Sequence, residues 1–244
     1  MANRHGRDLA VSNTRTTCRQ MKQLPCSAVY SHYPLDNQDM NMKIARLVHT
    51  LVFLLLAGTT GSSVAEPAGN HKTATFAGGC FWCMEPPFDA LEGVISTTSG
   101  YTGGQQQDPT YKEVSRGGTG HTEAVQIVYD PERISYAELL DVFWHNIDPT
   151  TANGQFCDMG NQYRSEIFYH DAEQQQLASR SKAALEELKP FPEPVVTAIS
   201  AATTFYPAEA YHQDYYQKNP VRYKFYRYGC GRDQRLEQLW GKDD

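Results

Sequence analysis

The sequence predicts an α+β fold, in which helices pack on one mixed β-sheet as a two-layer sandwich. Three observations point there. Runs with apolar residues at every second position alternate irregularly with segments of helical period. Hairpin-length and crossover-length connections are mixed along the chain. No internal repeat or low-complexity array marks a second folded domain. At 244 residues, with 40% hydrophobic residues and 15 tyrosines, the chain can bury a sizeable core.

Taken in order, residues 1–41 show no hydrophobic periodicity and are expected to be a disordered or mis-annotated leader. Met42-Lys43-Ile44-Ala45-Arg46 then reads as the charged start of a signal peptide spanning 42–65. Residues 47–57 form its apolar region and Ser63-Val64-Ala65 a small-residue cleavage site before Glu66. That apolar run falls short of the roughly 20 residues a membrane span needs. Translation is expected to begin at Met40 or Met42. The mature product, a single domain over 66–244, is expected in a bacterial periplasm, or in the cytoplasm if the signal is not used.

Within that domain, Thr73-Ala74-Thr75-Phe76-Ala77 alternates as a strand. A helix is expected through Phe88 and Leu91 on one face, with Pro86 and Pro87 in its first turn, where a missing N–H is tolerated. Residues 93–101 are β-branched and glycine-bounded, a second strand. The glycine-rich stretch 102–109 is a loop, and Thr110 to Arg116 a short helix carrying Tyr111. Thr122 to Tyr129 is a strand. Ser135-Tyr136-Ala137-Glu138 is a capping box opening a helix through Trp144. Asp148 to Gln162 is a long loop of the kind that tends to be functional. Strands are expected at 164–169 and 195–200, an amphipathic helix at 171–189, an aromatic-rich helix at 208–218, and a last extended segment at 221–228 leading to Cys230. The expected sheet has a ferredoxin-like core.

Charge excludes one large class of function. Residues 1–65 hold seven basic and three acidic residues, leaving 15 basic and 25 acidic beyond them. A domain that acidic, with no basic stripe, is a poor nucleic-acid binder.

The chemistry concentrates in Gly78-Gly79-Cys80-Phe81-Trp82-Cys83-Met84-Glu85. Cys80 falls at a strand-to-helix turn, where free backbone N–H groups are expected to lower the thiol's pKa. A zinc site would need four ligands, and no second Cys-x-x-Cys or nearby His pair supplies them. A thioredoxin-type pair would have a small, proline-containing dipeptide between its thiols, not Phe81 and Trp82. A structural disulfide remains open for an exported protein. Cys157, Cys230, Cys80 and Cys83 permit more than one pairing; Cys157 is expected to be a buried small residue. Gly78 and Gly79 are expected to let the backbone approach a ligand.

Gly-Cys-Phe-Trp is followed by Gly100-Tyr101-Thr102-Gly103-Gly104, Pro109-Thr110-Tyr111, Gly120-His121-Thr122-Glu123-Ala124-Val125, Gln162-Tyr163-Arg164-Ser165 and Ala208-Glu209-Ala210-Tyr211-His212-Gln213. In this order, over roughly residues 73–230, the chain resembles the A-type peptide methionine sulfoxide reductases. The resemblance implies that Cys80 attacks the sulfoxide sulfur and becomes a sulfenic acid. It implies that Phe81 and Trp82 wall the pocket for the substrate methyl, and that Glu123, its pKa raised, protonates the sulfoxide oxygen. Tyr111 and Tyr163 would hydrogen-bond that oxygen, and Asp158 would orient the cluster. His121 and His212 are expected to make structural hydrogen bonds. The substrate would be the S epimer of free or protein-bound methionine sulfoxide and the reductant a thioredoxin-like thiol, with no bound cofactor or metal. A monomer is expected.

The chain departs from many members in carrying Cys83 where they have glycine, and in replacing their glycine-rich cysteine tail with residues 229–240. A subset shares the local Cys-Phe-Trp-Cys pair. Cys83 is the expected first resolver because tethering keeps it close to Cys80. Cys230 either receives the disulfide next or competes with Cys83. A general dithiol oxidoreductase and a non-catalytic binding module for oxidised methionine are the alternative functions.

Overall fold

The computed structural model describes residues 69–241, all within one compact unit, Val64–Asp244. The leader and signal peptide expected over 1–65 lie outside the described residues.

Strand β1 (Lys72–Gly78) runs into helix α1 (Phe81–Asp89), then β2 (Val94–Thr102), α2 (Tyr111–Arg116), β3 (Thr122–Tyr129) and α3 (Tyr136–His145). A two-residue hairpin, β4 (Gly154–Gln155) and β5 (Asp158–Met159), precedes β6 (Ser165–Tyr169), α4 (Ala172–Leu188), β7 (Ala198–Ala201) and β8 (Tyr206–Pro207). Three helices close the chain: α5 (Tyr215–Lys218), α6 (Pro220–Gly229) and α7 (Arg232–Trp240).

The main sheet runs β7-β6-β1-β3-β2-β8. Its central four strands, with α1 and α3 as the crossovers, give the antiparallel β6-β1-β3-β2 order of a ferredoxin-like core, and β7 adds a parallel edge on β6. The α+β sandwich is as expected. Phe76 on β1 stacks against Phe88 of α1 and Phe143 of α3, with ring centroids 5.6 and 5.0 Å away. All three rings are fully buried, so alternation on the strand and helical period on α1 and α3 meet in one core. The capping box forms as read: Ser135 Oγ accepts from Glu138 N–H while the Glu138 carboxylate accepts from Ser135 N–H.

Several local expectations are corrected. Helix α1 begins at Phe81, so Pro86 and Pro87 lie inside it rather than in its first turn. The aromatic-rich helix shrinks to α5, because Asp214 takes a left-handed φ of 52° while its N–H donates to the buried Glu85 carboxylate. Residues 221–228 form the helix α6, not an extended segment. Pro220 presets its first turn, and the half-buried Tyr223 and Tyr226 are spaced by one helical turn; the aromatic–basic alternation imitated a strand. The loop 148–162 contains the β4–β5 hairpin. It is pinned by buried Gln155, whose side chain accepts from Asp148 N–H at 2.8 Å and donates to Asp148 C=O at 2.7 Å.

Candidate active site

Cys80 is the residue before the first turn of α1, reached through Gly79 at φ +82°. A β-carbon on Gly79 would lie 2.5 Å from Gln155 Cβ, and one on Gly78 would meet Met84 and Ile147. These glycines therefore allow close approach to the protein's own side chains, not to a ligand as expected.

The first N–H of α1, from Phe81, donates to Glu123 Oε2 at 3.1 Å. Glu123 reaches it because the β1–β3 register ends at Phe76 opposite Val125, two residues short of Gly78 and Glu123. Only 1% of Glu123 is exposed. Burial holds its carboxyl up at about 8, against the smaller opposing effect of the Phe81 N–H. Glu123 therefore enters neutral solution largely as a carboxylic acid with a proton to give.

The thiols do not behave as expected. Burial pushes Cys80 well above the usual thiol range, reinforced by its contact with Cys83 and by the charge of Glu123. The hydrogen bond with Cys80, and more weakly the fields of Arg232 and Arg227, bring Cys83 down to about 7. Of the pair, Cys83 is thus the more acidic thiol and Cys80 the one that holds its proton more tightly. Desolvation at this turn outweighs the helix N-terminus, whose leading N–H is already taken by Glu123.

Aromatic rings enclose the two thiols. Phe81 is fully buried, and Trp82 stacks on Tyr215 with centroids 3.7 Å apart and planes 6° from parallel. Trp82 Nε1–H donates to His212 Nδ1 at 3.0 Å, which fixes the indole. His212 makes the structural bond expected of it. So does His121, whose Nδ1 accepts from Gly104 N–H and whose Nε2 meets Gln106 C=O at 2.7 Å. Tyr111 lies over His212, ring to ring at 4.4 Å, and its N–H donates to Glu209. Burial raises the phenols of Tyr111 and Tyr163, and both feel the charges of Glu123, Cys80 and Asp158. Asp158, itself raised by burial, accepts from the Tyr226 hydroxyl, which also contacts Cys80.

Cys80, Cys83, Phe81, Trp82, Glu123, Tyr111, Tyr163 and Asp158 are thus brought to one end of the sheet. An open groove of about 640 Å³ leads outward past Trp82, Tyr111, His212, Tyr226 and Cys230.

Sequence reasoning missed three members of this neighbourhood. Tyr226 was hidden by the extended reading of α6. Glu209 ties the Tyr111 N–H and the Tyr101 hydroxyl together. Arg232 is a buried guanidinium behind the Gly78–Cys80 turn, donating to Gly78 C=O and Asn146 C=O. Its only advance signal was its place beside Cys230. Cys157 corrects another expectation: it is exposed and disulfide-bonded to Cys230, while Cys80 and Cys83 are free thiols.

Residues 72–244 match the family model described as peptide methionine sulfoxide reductase. The chain belongs to that family. The peptide methionine sulfoxide reductase MsrA of Ligilactobacillus salivarius is 56% identical over 171 residues, 70% of this chain and 99% of that one. The MsrA/MsrB protein of Vibrio cholerae is 47% identical over 194 residues, covering 80% of this chain; the match spans about half of that relative, 51%. Among solved structures, reduced Mxr1 from Saccharomyces cerevisiae superposes with a TM-score of 0.59 at 34% identity, covering 64% of this chain and 88% of its own. This peptide methionine sulfoxide reductase is an enzyme of thiol chemistry; among the described residues two cysteines are free thiols and two are joined in a disulfide.

Proposed function

We propose that the chain reduces the S epimer of methionine sulfoxide, free or in oxidised proteins, through a sulfenic acid on Cys80. The observation that carries this reading is a buried carboxyl, Glu123, kept protonated near neutral pH beside a buried cysteine pair. A sulfoxide is a weak electrophile until its oxygen gains a proton. Glu123 gives that proton while Tyr111 and Tyr163 donate hydrogen bonds to the same oxygen and Asp158 orients the cluster. Cys80 attacks sulfur as its own proton passes along their hydrogen bond to the Cys83 thiolate. The substrate's sulfur–oxygen bond breaks, the oxygen passes to Cys80 Sγ as the sulfenic acid, and methionine leaves. Cys83 then attacks Cys80 Sγ, water departs, and a Cys80–Cys83 disulfide closes. Phe81 and Trp82 receive the methyl group, which offers no hydrogen bond and is recognised by apolar contact.

A thioredoxin-like dithiol is the external reductant in this reading, with no bound cofactor. The protein works as a monomer. Export to a periplasm through a signal peptide over 42–65 fits the charged, apolar and small-residue sequence there, and persistence of the Cys157–Cys230 bridge fits an oxidising compartment. Among the described residues no helix is long and apolar enough to cross a membrane.

Replacing Glu123 with Gln tests the acid. Methionine release should fall by about 10²- to 10⁴-fold, while alkylation of Cys83 proceeds at the wild-type rate. Unchanged turnover in that variant would remove Glu123 from the reaction.

A further inference from the structure

Helix α6 turns an apolar face outward. Val221, Phe225 and Tyr228 are spaced by four and three residues, so they share one stripe of the helix, and each is 79–83% exposed. No side chain of α6 is fully buried. The fold gains little from this stripe, and apolar residues grouped in water mark a surface that receives a partner.

The stripe joins the groove beside the thiols at Phe225, which lines it with Arg222 and Tyr226 of the same helix. Another part of the lining is a run of touching rings. Tyr111 lies 4.4 Å from His212, and His212 lies 4.2 Å from Tyr211, centroid to centroid. The run leads from half-buried Tyr111 through buried His212 to exposed Tyr211. At about 640 Å³ the groove is of the size that takes a whole small-molecule ligand, more than one methionine side chain needs. When the sulfoxide side chain of a polypeptide enters beside Phe81, Trp82 and Tyr111, its backbone stays at the mouth. The next two residues on either side then lie within about 4–7 Å of it along the chain, against the outer rings.

Resting on the sulfoxide reading above, we propose that Tyr211 and Phe225 form a subsite for apolar side chains flanking methionine sulfoxide in a polypeptide, with Tyr228 and Val221 extending it along α6. The preferred substrate is an exposed apolar stretch of an oxidised protein, of the kind a folded core hides and an unfolded chain displays. The occupant is the substrate rather than the thiol donor, because the run of rings starts at Tyr111, which faces the sulfoxide oxygen in the proposed reaction. An aromatic neighbour gains ring contacts that a sulfoxide with no neighbours lacks. A basic neighbour meets the charge of Arg222 on the same helix and gains no such contact. Flanking residues make the same contacts before and during attack on sulfur. Their effect therefore falls on KM and leaves kcat unchanged.

The test compares three S-epimer substrates under a small dithiol, so that no protein donor takes part. One is N-acetyl methionine sulfoxide amide, which has no neighbours. The others are end-blocked peptides that place the sulfoxide between two phenylalanines or between two lysines. The phenylalanine-flanked peptide should exceed the other two in kcat/KM by about 3- to 10-fold, carried by KM. That ratio should fall toward one in Phe225→Ser and in Tyr211→Ser, and persist in Phe225→Tyr. Both side chains are largely exposed, and thermal melts of the variants check that the fold is kept. Equal kcat/KM for the three substrates in the wild-type protein, or an unchanged ratio in both serine variants, overturns the subsite. A Phe225→Ser protein that keeps the ratio but has a raised KM for a thioredoxin donor assigns the surface to the reductant, and overturns it as well. No methionine from any of the three substrates overturns the reading on which the subsite rests.

Discussion

In the proposed reaction Glu123 is the acid, and its environment makes predictions about pH. Its carboxyl is held at about 8 by burial, so the acid is available below that pH and lost above it. Methionine release under saturating substrate should therefore decline as pH rises through about 8, with Asp in place of Glu123 shifting or abolishing that limb. The same shift has a stability consequence. A carboxyl whose folded pKa is raised makes the folded state bind more protons than the unfolded one between about 4.5 and 8, so its contribution is present below 4.5 and lost as pH climbs through 8. Glu123→Gln should consequently unfold later than wild type at pH 8, by on the order of 1–3 kcal/mol in a denaturant titration, while losing activity. Equal stability of the two at pH 8 would mean that the buried carboxyl is better solvated than its 1% exposure implies. At this scale the sequence was readable where spacing carried the chemistry. Cys80, Cys83, Phe81 and Trp82 fall within four positions, and Glu123 within a recognisable block. The direction of the Cys80 shift was not readable, because it is set by burial in the folded protein, which the local strand-to-helix turn does not reveal.

Elements explain why those rings could be missed. Alternation in β1 and β3, and the Ser135–Glu138 box of α3, are local signals that act within a few residues, and each produced the element it announced. Helix α6 carries no fully buried side chain, so no apolar stripe existed to reveal its period. Val221, Phe225 and Tyr228 are left exposed at 79–83%, and the helix is held instead by Tyr226 on Asp158 and by the Cys230 bridge. Helix α7 was likewise silent, since its anchors are Leu239 and a buried arginine, Arg232, a residue type expected at surfaces. Two substitutions separate local from tertiary control. Ser135→Ala should lose about 1 kcal/mol of stability, by removal of the cap, with turnover unchanged. Gln155→Ala should lose about 1–3 kcal/mol, by leaving the Asp148 N–H and C=O unpaired in a buried loop. It should also lower turnover, because the same side chain backs Gly79 and the Cys80 turn. Equal and purely thermodynamic effects of the two would detach that loop from the site.

Across the whole molecule, the ferredoxin-like core brings distant blocks to one sheet end. β1 delivers Cys80, β3 delivers Glu123, the 3₁₀ turn at Asn161–Tyr163 delivers Tyr163, and α5 and α6 supply the aromatic cover. The order of these blocks was legible in the sequence. Their convergence was not, because strand order depends on pairings between residues 49 to 93 positions apart. The pairing of Cys157 with Cys230, separated by 73 residues, was hidden for the same reason. In the proposed reaction Cys80, supported by Glu123, reduces a sulfoxide stereospecifically. The most direct measurement presents the full-length protein with the S and R epimers of a methionine sulfoxide peptide separately, under a small dithiol, beside a Cys80→Ser variant. Methionine is expected from the S epimer alone and none from the variant. Methionine from both epimers at similar rates, or from the Cys80→Ser protein, would contradict it.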